Sequence, residues 1–424
     1  MANWTAEVFE NEYLPVDGTD VHAIVTVTCS DAGTAGSSGS GAAAEVIVVD
    51  TSGSMSSPHS KIVAARDAAA AAIDAIVDGA LFAIVAGNHE ARLVYPFSFG
   101  MATASNATRA EAKEAVRHLD PVGGTAIGKW LRAAADLFGS VQAAQRHAIL
   151  LTDGRDETEK PTDLQAAISA ATGVFQCDCR GVGADWEVSE LRSISSALLG
   201  SVDIIAEPTK MADDFRSMME AAMSRGVADA RLRVWAPQGS QVLFVKQVAP
   251  NIEDLTNRGT PVSPLIRDFP TGSWGDESRD YHVAVKVPTK PLGSEQLAAR
   301  VQLMVGDDVQ AQALVRATWS DDSTLTTRIN PAVAHYTGQA ELAQAIQDGL
   351  AAKASGDDAT ATLKLGRAAK LAAETGDEEA TNKLKRVIDI QDADTGTVRL
   401  KRDASKLDEM ALDTASTKTT RVKR

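Results

Sequence analysis

Two hydrophobic periodicities divide most of the chain between them. Between residues 44 and 225, short apolar runs such as Val46-Ile47-Val48-Val49 and Ala148-Ile149-Leu150-Leu151 recur between longer stretches of helical spacing. A strand buried on both faces needs such an unbroken run, and its alternation with helices predicts a parallel α/β sheet. The spacing predicts strands at 46–50, 81–86, 93–97, 148–152, 175–182 and 201–205. Helices are predicted at 61–77, 109–118, 127–138, 164–171, 187–199 and 212–224, the first favoured by its run of alanines.

Outside this region the period changes. Arg231-Leu232-Arg233-Val234-Trp235 and Val283-Ala284-Val285-Lys286-Val287 alternate in twos, as strands with one buried face do. Residues 296–305 and 309–318 read as a hairpin around Gly306-Asp307-Asp308, and residues 6–13 and 21–28 as two more strands. Two strands cannot bury a face alone, so these first strands are assigned to the same sheet system as the later ones. From residue 334 onward Leu342, Ile346 and Leu350 form a helical stripe, Leu363, Leu371 and Leu384 mark further ones, and Gly356 and Gly376 break the run into at least three helices.

The expected architecture is therefore multidomain. A doubly wound α/β domain (45–227) is inserted in an antiparallel β-sandwich (1–31 and 228–333), followed by a helical bundle (334–412). A Gly/Ser/Ala-rich flexible linker (32–44) and a disordered tail (413–424) complete it.

Candidate chemistry gathers where the buried strands end. Asp50, Ser52 and Ser54 close the first run in the order Asp-Thr-Ser-Gly-Ser. One carboxylate and two short hydroxyls suit a hard cation, because magnesium takes oxygen ligands and keeps several waters. Thr125 follows Gly123-Gly124 just before a helix, and Asp153 lies in Thr152-Asp153-Gly154 after another apolar run. Open α/β sheets bind ligands at such carboxyl ends. With this three-part set the chain resembles the von Willebrand factor A domain and its metal-ion-dependent adhesion site, over residues 44–225 and without departure at the five positions. The resemblance implies a Rossmann-like fold in which Ser52, Ser54 and Thr125 touch Mg²⁺ (or Mn²⁺) while Asp50 and Asp153 hold metal-bound waters. It also implies an open coordination position that takes an Asp or Glu from a protein partner. The flanking regions resemble those of soluble actinobacterial proteins of this type, with no diagnostic motif.

The expected function is metal-dependent protein binding, as an intracellular adaptor or scaffold and not an enzyme. An accessory subunit of an AAA+ ATPase or metal-insertion complex is the alternative. A hydrolase with Asp153 or Glu157 as base ranks third, since there is no G-x-S-x-G elbow, P-loop or G-x-G-x-x-G with matching context. The net charge of −15 disfavours nucleic acid and anionic membranes as partners. Three cysteines, no basic and apolar start, and no run able to span a bilayer point to the cytoplasm.

Other groups are read plainly. Cys177 and Cys179 share a strand face and are expected in the core. His89 and His147, with no carboxylate, Ser or Cys at motif spacing, are taken as structural or exposed. Asp156, Glu157 and Glu159 read as a solvated loop. The tail from Ser416 to Arg424 is a charged segment. Its sharper reading is a phosphorylation site at Thr417, Thr419 and Thr420, with a Ser/Thr kinase or phosphothreonine-binding protein as second partner.

Overall fold

The computed structural model describes residues 2–36 and 42–422, and these fall into two compact units. One comprises residues 31–229 with 272–276; the other comprises residues 2–30, 230–271 and 277 onward. Three strands open the chain: β1 (Asn3–Glu10), β2 (Tyr13–Leu14) and β3 (Asp20–Ser30).

The α/β unit follows. Its strands are β4 (Ala42–Asp50), β5 (Leu81–Gly87), β6 (Ala91–Tyr95), β7 (Ala102–Thr103), β8 (Ala143–Thr152), β9 (Gln176–Val182) and β10 (Val202–Ile205). They lie in the order β10-β9-β8-β4-β5-β6, with β7 also pairing β5. The pairs from β10 to β5 are parallel, and β6 and β7 run antiparallel against β5. The helices are α1 (Ser60–Ala75), α2 (Asn106–Arg117), α3 (Ile127–Gly139), α4 (Pro161–Ala171), α5 (Val188–Ala197) and α6 (Met211–Met223). The unbroken apolar run of β4 has its cause here: helices cover both faces, and Val46, Ile47, Val48 and Val49 are all buried. The alanines of α1 do more than favour helix. Ala65, Ala68, Ala69 and Ala72 are fully buried in one cluster with Met211, Phe215 and Met219 of α6.

From β4 the chain steps to β5 on one side and later to β8 on the other. The reversal leaves a crevice outside the carboxyl ends of β4 and β8. Asp50 is the last residue of β4, and Asp153 follows the last residue of β8.

Wholly or mostly in the second unit come β11 (Val227–Trp235), β12 (Gln241–Ala249), β13 (Glu253–Asp254), β14 (Thr260–Ser263), β15 (Ile266–Trp274), β16 (Glu277–Lys286), β17 (Glu295–Val305) and β18 (Asp308–Trp319). They join the first three strands in two sheets, β1-β3-β16-β12-β13 and β14-β15-β11-β17-β18-β2. β3 is interior to its sheet, antiparallel to β1 on one side and to β16 on the other. The period-two patterning is visible in β18, where Ala313, Val315, Ala317 and Trp319 are buried and the residues between them are not.

Helices α7 (Ser323–Thr326), α8 (Pro331–Ala354), α9 (Asp358–Thr375) and α10 (Glu378–Val387) come next. Asn330, Asp357 and Asp377 each cap the following helix by accepting from its backbone N–H, which sets where the helices begin. Leu342, Ile346, Leu350, Leu371 and Leu384 form one core.

Several expectations need correction. Leu363, expected in an apolar stripe, is 72% exposed. The region read as helical throughout contains a hairpin, β19 (Ile388–Asp392) with β20 (Thr397–Leu400), before α11 (Lys406–Ala415). Its turn includes Gly396 at φ +72°, and its Ile388-Asp389-Ile390 alternation is too short to stand out among charged neighbours. The expected linker ends early, since β4 begins at Ala42; its residues 37–41 lie outside the described residues.

The tail is ordered as far as it is described. Thr419 N donates to Pro250 O at 3.0 Å, and Thr419 Oγ1 to Val248 O at 2.6 Å. Arg421 grips the buried Asp280 carboxylate at 2.9 Å. Composition signalled disorder, but that ion pair and the backbone bonds of residues 417–419 supply the missing attachment. Residues 423–424 of the expected tail lie outside the described residues. No helix among the described residues is long and apolar enough to cross a membrane.

Candidate metal centre

Hydrogen bonds zip two loops together above the sheet crevice. Gly53 N donates to Gly123 O at 2.8 Å and Val122 N to Thr51 O at 2.7 Å. This brings the loop after β4 beside the loop before α3. Gly123 makes the approach possible: its φ is +80°, and a Cβ there would lie 2.1 Å from His89 Nδ1. A third loop fixes Thr125 from above, through bonds from Glu157 N, Thr158 N and Thr158 Oγ1 to Thr125 O.

The five residues singled out in the sequence meet in this crevice. Asp50 is wholly buried; its Oδ1 accepts from Ser52 N at 2.7 Å and its Oδ2 from Thr152 Oγ1 at 2.6 Å. Ser52 Oγ lies 2.9 Å from Ser54 Oγ, and Ser54 Oγ donates to Asp153 Oδ1 at 2.5 Å. A Cβ at Gly154 would lie 3.2 Å from Thr125 Oγ1 and 3.7 Å from Ser54 Oγ, so glycine keeps the space between these hydroxyls open. Burial pushes the Asp50 carboxyl up to about 6, against the hydrogen bonds it receives from Ser52 and Thr152.

This donor set fits a hard divalent cation. Among the described residues no group of three or more imidazole, thiol and carboxylate ligands gathers. An ion here would therefore be held by hydroxyls and water as much as by carboxylate. Two features of the neighbourhood escaped the sequence reading. Lys61, in the first turn of α1, is buried and its Nζ lies 2.7 Å from Asp153 Oδ2. The acidic loop is not simply solvated: Asp156 accepts from Ile127 N at 3.0 Å, and Glu159, its side chain buried, accepts from Gly128 N. These carboxylates serve the bare N-terminus of α3, whose own cap position is Ala126. Glu157 is exposed as expected.

The remaining candidates form a core network. His147 bridges Glu45 at 2.8 Å and Asp178 at 2.9 Å, all three buried on β8, β4 and β9. The spacing along the chain hid these partners, since parallel strands bring together residues far apart in sequence. Burial lowers the His147 pKa, but Glu45 and Asp178 outweigh it and push it up to about 9. A histidine pKa raised from 6.5 adds stability in full below about 6.5, and loses it as pH rises through about 9. The thermal midpoint of the α/β unit should therefore fall between neutral pH and about pH 10, more steeply than in His147→Gln. Parallel profiles in a pH series of melting curves would remove His147 as the cause. Cys177 and Cys179 are free and buried, with Sγ atoms 3.9 Å apart; hydrogen bonding to Cys179 and burial push the Cys177 thiol well up. Both lie in the core, as expected. His89 is exposed.

A doubly wound sheet with hydroxyls and carboxylates at its switch point defines a class of ligand-binding α/β domain. Comparison gives that class its family. Residues 44–204 match the family model of the von Willebrand factor type A domain, and residues 370–416 match that of the von Willebrand factor type A C-terminal domain. The von Willebrand factor type A protein from Catenulispora acidiphila is 47% identical, with a TM-score of 0.94 over 99% of this chain and 97% of that one. This chain belongs to the von Willebrand factor type A family. Its fold is also similar to that of the ArnB paralog VWA2 from Sulfolobus acidocaldarius, at 14% identity and a TM-score of 0.58 over 98% of both chains. The human COPII-coat protein Sec24c gives 9% identity and a TM-score of 0.54, over 90% of this chain and 57% of that one. No curated protein matches. Domains of this family often mediate protein–protein interaction and commonly bind a divalent metal.

Proposed function

We propose that this protein is a metal-dependent protein-binding module, an intracellular adaptor that captures a carboxylate of a partner through Mg²⁺ or Mn²⁺. The observation that carries this reading is the convergence of Ser52, Ser54, Thr125, Asp50 and Asp153 at one crevice. Ser52, Ser54 and Thr125 would hold the ion through their hydroxyl oxygens, and Asp50 and Asp153 would hold its waters. Bound there, the ion would supply Lewis acidity toward an Asp or Glu oxygen of the partner. The protein's own part is preorganisation: the zipped loops fix the hydroxyls, and Thr152 and the Ser52 amide orient Asp50. We read the role as binding rather than catalysis, since the five side chains position and polarise a ligand. We read the two sheets of the second unit as one sandwich interrupted by the α/β domain, and the three free thiols as those of a cytoplasmic protein.

The test is affinity capture from a cell extract with Mg²⁺, repeated with EDTA. A partner retained only with Mg²⁺ supports the reading; one retained equally in EDTA overturns it. Thr125→Ala should weaken capture about ten-fold, or about 1.4 kcal/mol. Its thermal midpoint should hardly move, because the loop is pinned through Thr125 O and not through its hydroxyl. If Thr125→Ala unfolds the domain instead, the hydroxyl is structural.

A further inference from the structure

The unexplained group at this site is Lys61. It stands second in α1, where the positive end of the helix dipole opposes a cation, and it is only 8% exposed. A buried ammonium needs a partner to offset its desolvation. Its Nζ has one at 2.7 Å, Asp153 Oδ2, and a second at 3.8 Å, Asp185 Oδ2. These two differ sharply: the Asp153 side chain is fully buried, whereas that of Asp185 is 77% exposed.

Asp153 therefore has both oxygens engaged by the protein, Oδ1 by Ser54 and Oδ2 by Lys61. A serine that gives its lone pair to a cation still donates its proton, so the Ser54 bond is compatible with metal. The Lys61 bond is not neutral in the same way. A fixed positive charge on Asp153 repels a divalent cation and competes for the oxygen that would hold its water.

We propose that Lys61 is the built-in counter-cation of this site: its ammonium holds Asp153 before metal loading and turns to Asp185 on loading. The inference rests on the metal reading above and adds its regulation. In the unloaded protein Lys61 stabilises a carboxylate that would otherwise be buried without a cation. On loading, the ammonium needs only a short swing, because Asp185 is already beside it. The cost of that exchange lowers the intrinsic metal affinity. Lys61 is thus a positioning residue that sets how much free metal is required before the site can accept a carboxylate.

Calorimetric titration of MnCl₂ into the full chain tests this. Lys61→Met should bind Mn²⁺ about ten-fold more tightly than wild type, a coupling of ordinary size. Asp185→Asn, an exposed change that does not threaten the fold, should bind Mn²⁺ more weakly, because the ammonium loses its alternative partner. In the Lys61→Met background Asp185→Asn should have no effect, since the two act through one ammonium. A merely structural lysine predicts equal or weaker binding by Lys61→Met, and either result overturns the proposal. So does an equal effect of Asp185→Asn in both backgrounds. Absence of binding by wild type and by every variant overturns the metal reading itself, a separate outcome from failure of the Lys61 role.

Discussion

Asp50→Ala should lose Mn²⁺ binding almost completely while the α/β unit stays folded. Asp50 is assigned to hold water on the ion, and removal of such a supporting group weakens metal binding by about 10–100-fold. The upper end is expected here, because Asp50 is wholly buried and two donors aim it. The folding cost is limited by opposing terms. Ser52 N and Thr152 Oγ1 lose an acceptor, at about 1–3 kcal/mol for each donor left unsatisfied. Against this, the protein no longer buries a carboxylate whose ionisation burial resists. Calorimetry with MnCl₂, together with circular dichroism, reads both. Equal heats from wild type and Asp50→Ala would sink the site assignment.

A chain that starts at Ala43 should lose the second unit. Deleting the first strands removes β3 from the interior of its sheet and leaves β16 with an unpaired edge. Val21, Ile24, Val25 and Val27 are buried on β3. Each fully buried aliphatic side chain contributes about 1.5–3 kcal/mol, so the loss is comparable to the whole stability of a domain. Scanning calorimetry should show one transition, that of the α/β unit, and the shortened chain should aggregate through its open strand edge. Equal unfolding of the short and full chains would show that the first strands are dispensable.

The candidate set was legible because each of its three segments carries its own local signal, although the segments lie far apart in the chain. Asp50, Ser52 and Ser54 lie within five residues, and Asp153 and Thr125 each mark the end of a strand or the start of a helix. Those ends were readable because a parallel strand covered on both faces must be apolar throughout. What escaped had partners distant in the chain. His147 looked isolated because Glu45 and Asp178 reach it across parallel strands. Lys61 looked like one more helix residue because Asp153 is 92 positions away. The tail looked unfolded because its attachment is Arg421 to Asp280, 141 positions away. Composition reports what a segment can bury, and an ordered polar segment held by ion pairs is invisible to it.

The position of β3 also has a consequence for synthesis. Thr26 on β3 bonds to Asp280 on β16, a partner 254 positions later in the chain. At a translation rate of about 5–20 residues per second, β3 leaves the ribosome roughly 10–50 s before the strand it must pair with. During that interval the whole α/β unit emerges and has time to fold, whereas β3 has only β1 beside it. Its apolar face is then exposed on the nascent chain, where such surface is prone to aggregate. Slowing translation between residues 30 and 277 should lengthen that exposure and lower the yield of soluble protein without any change of sequence.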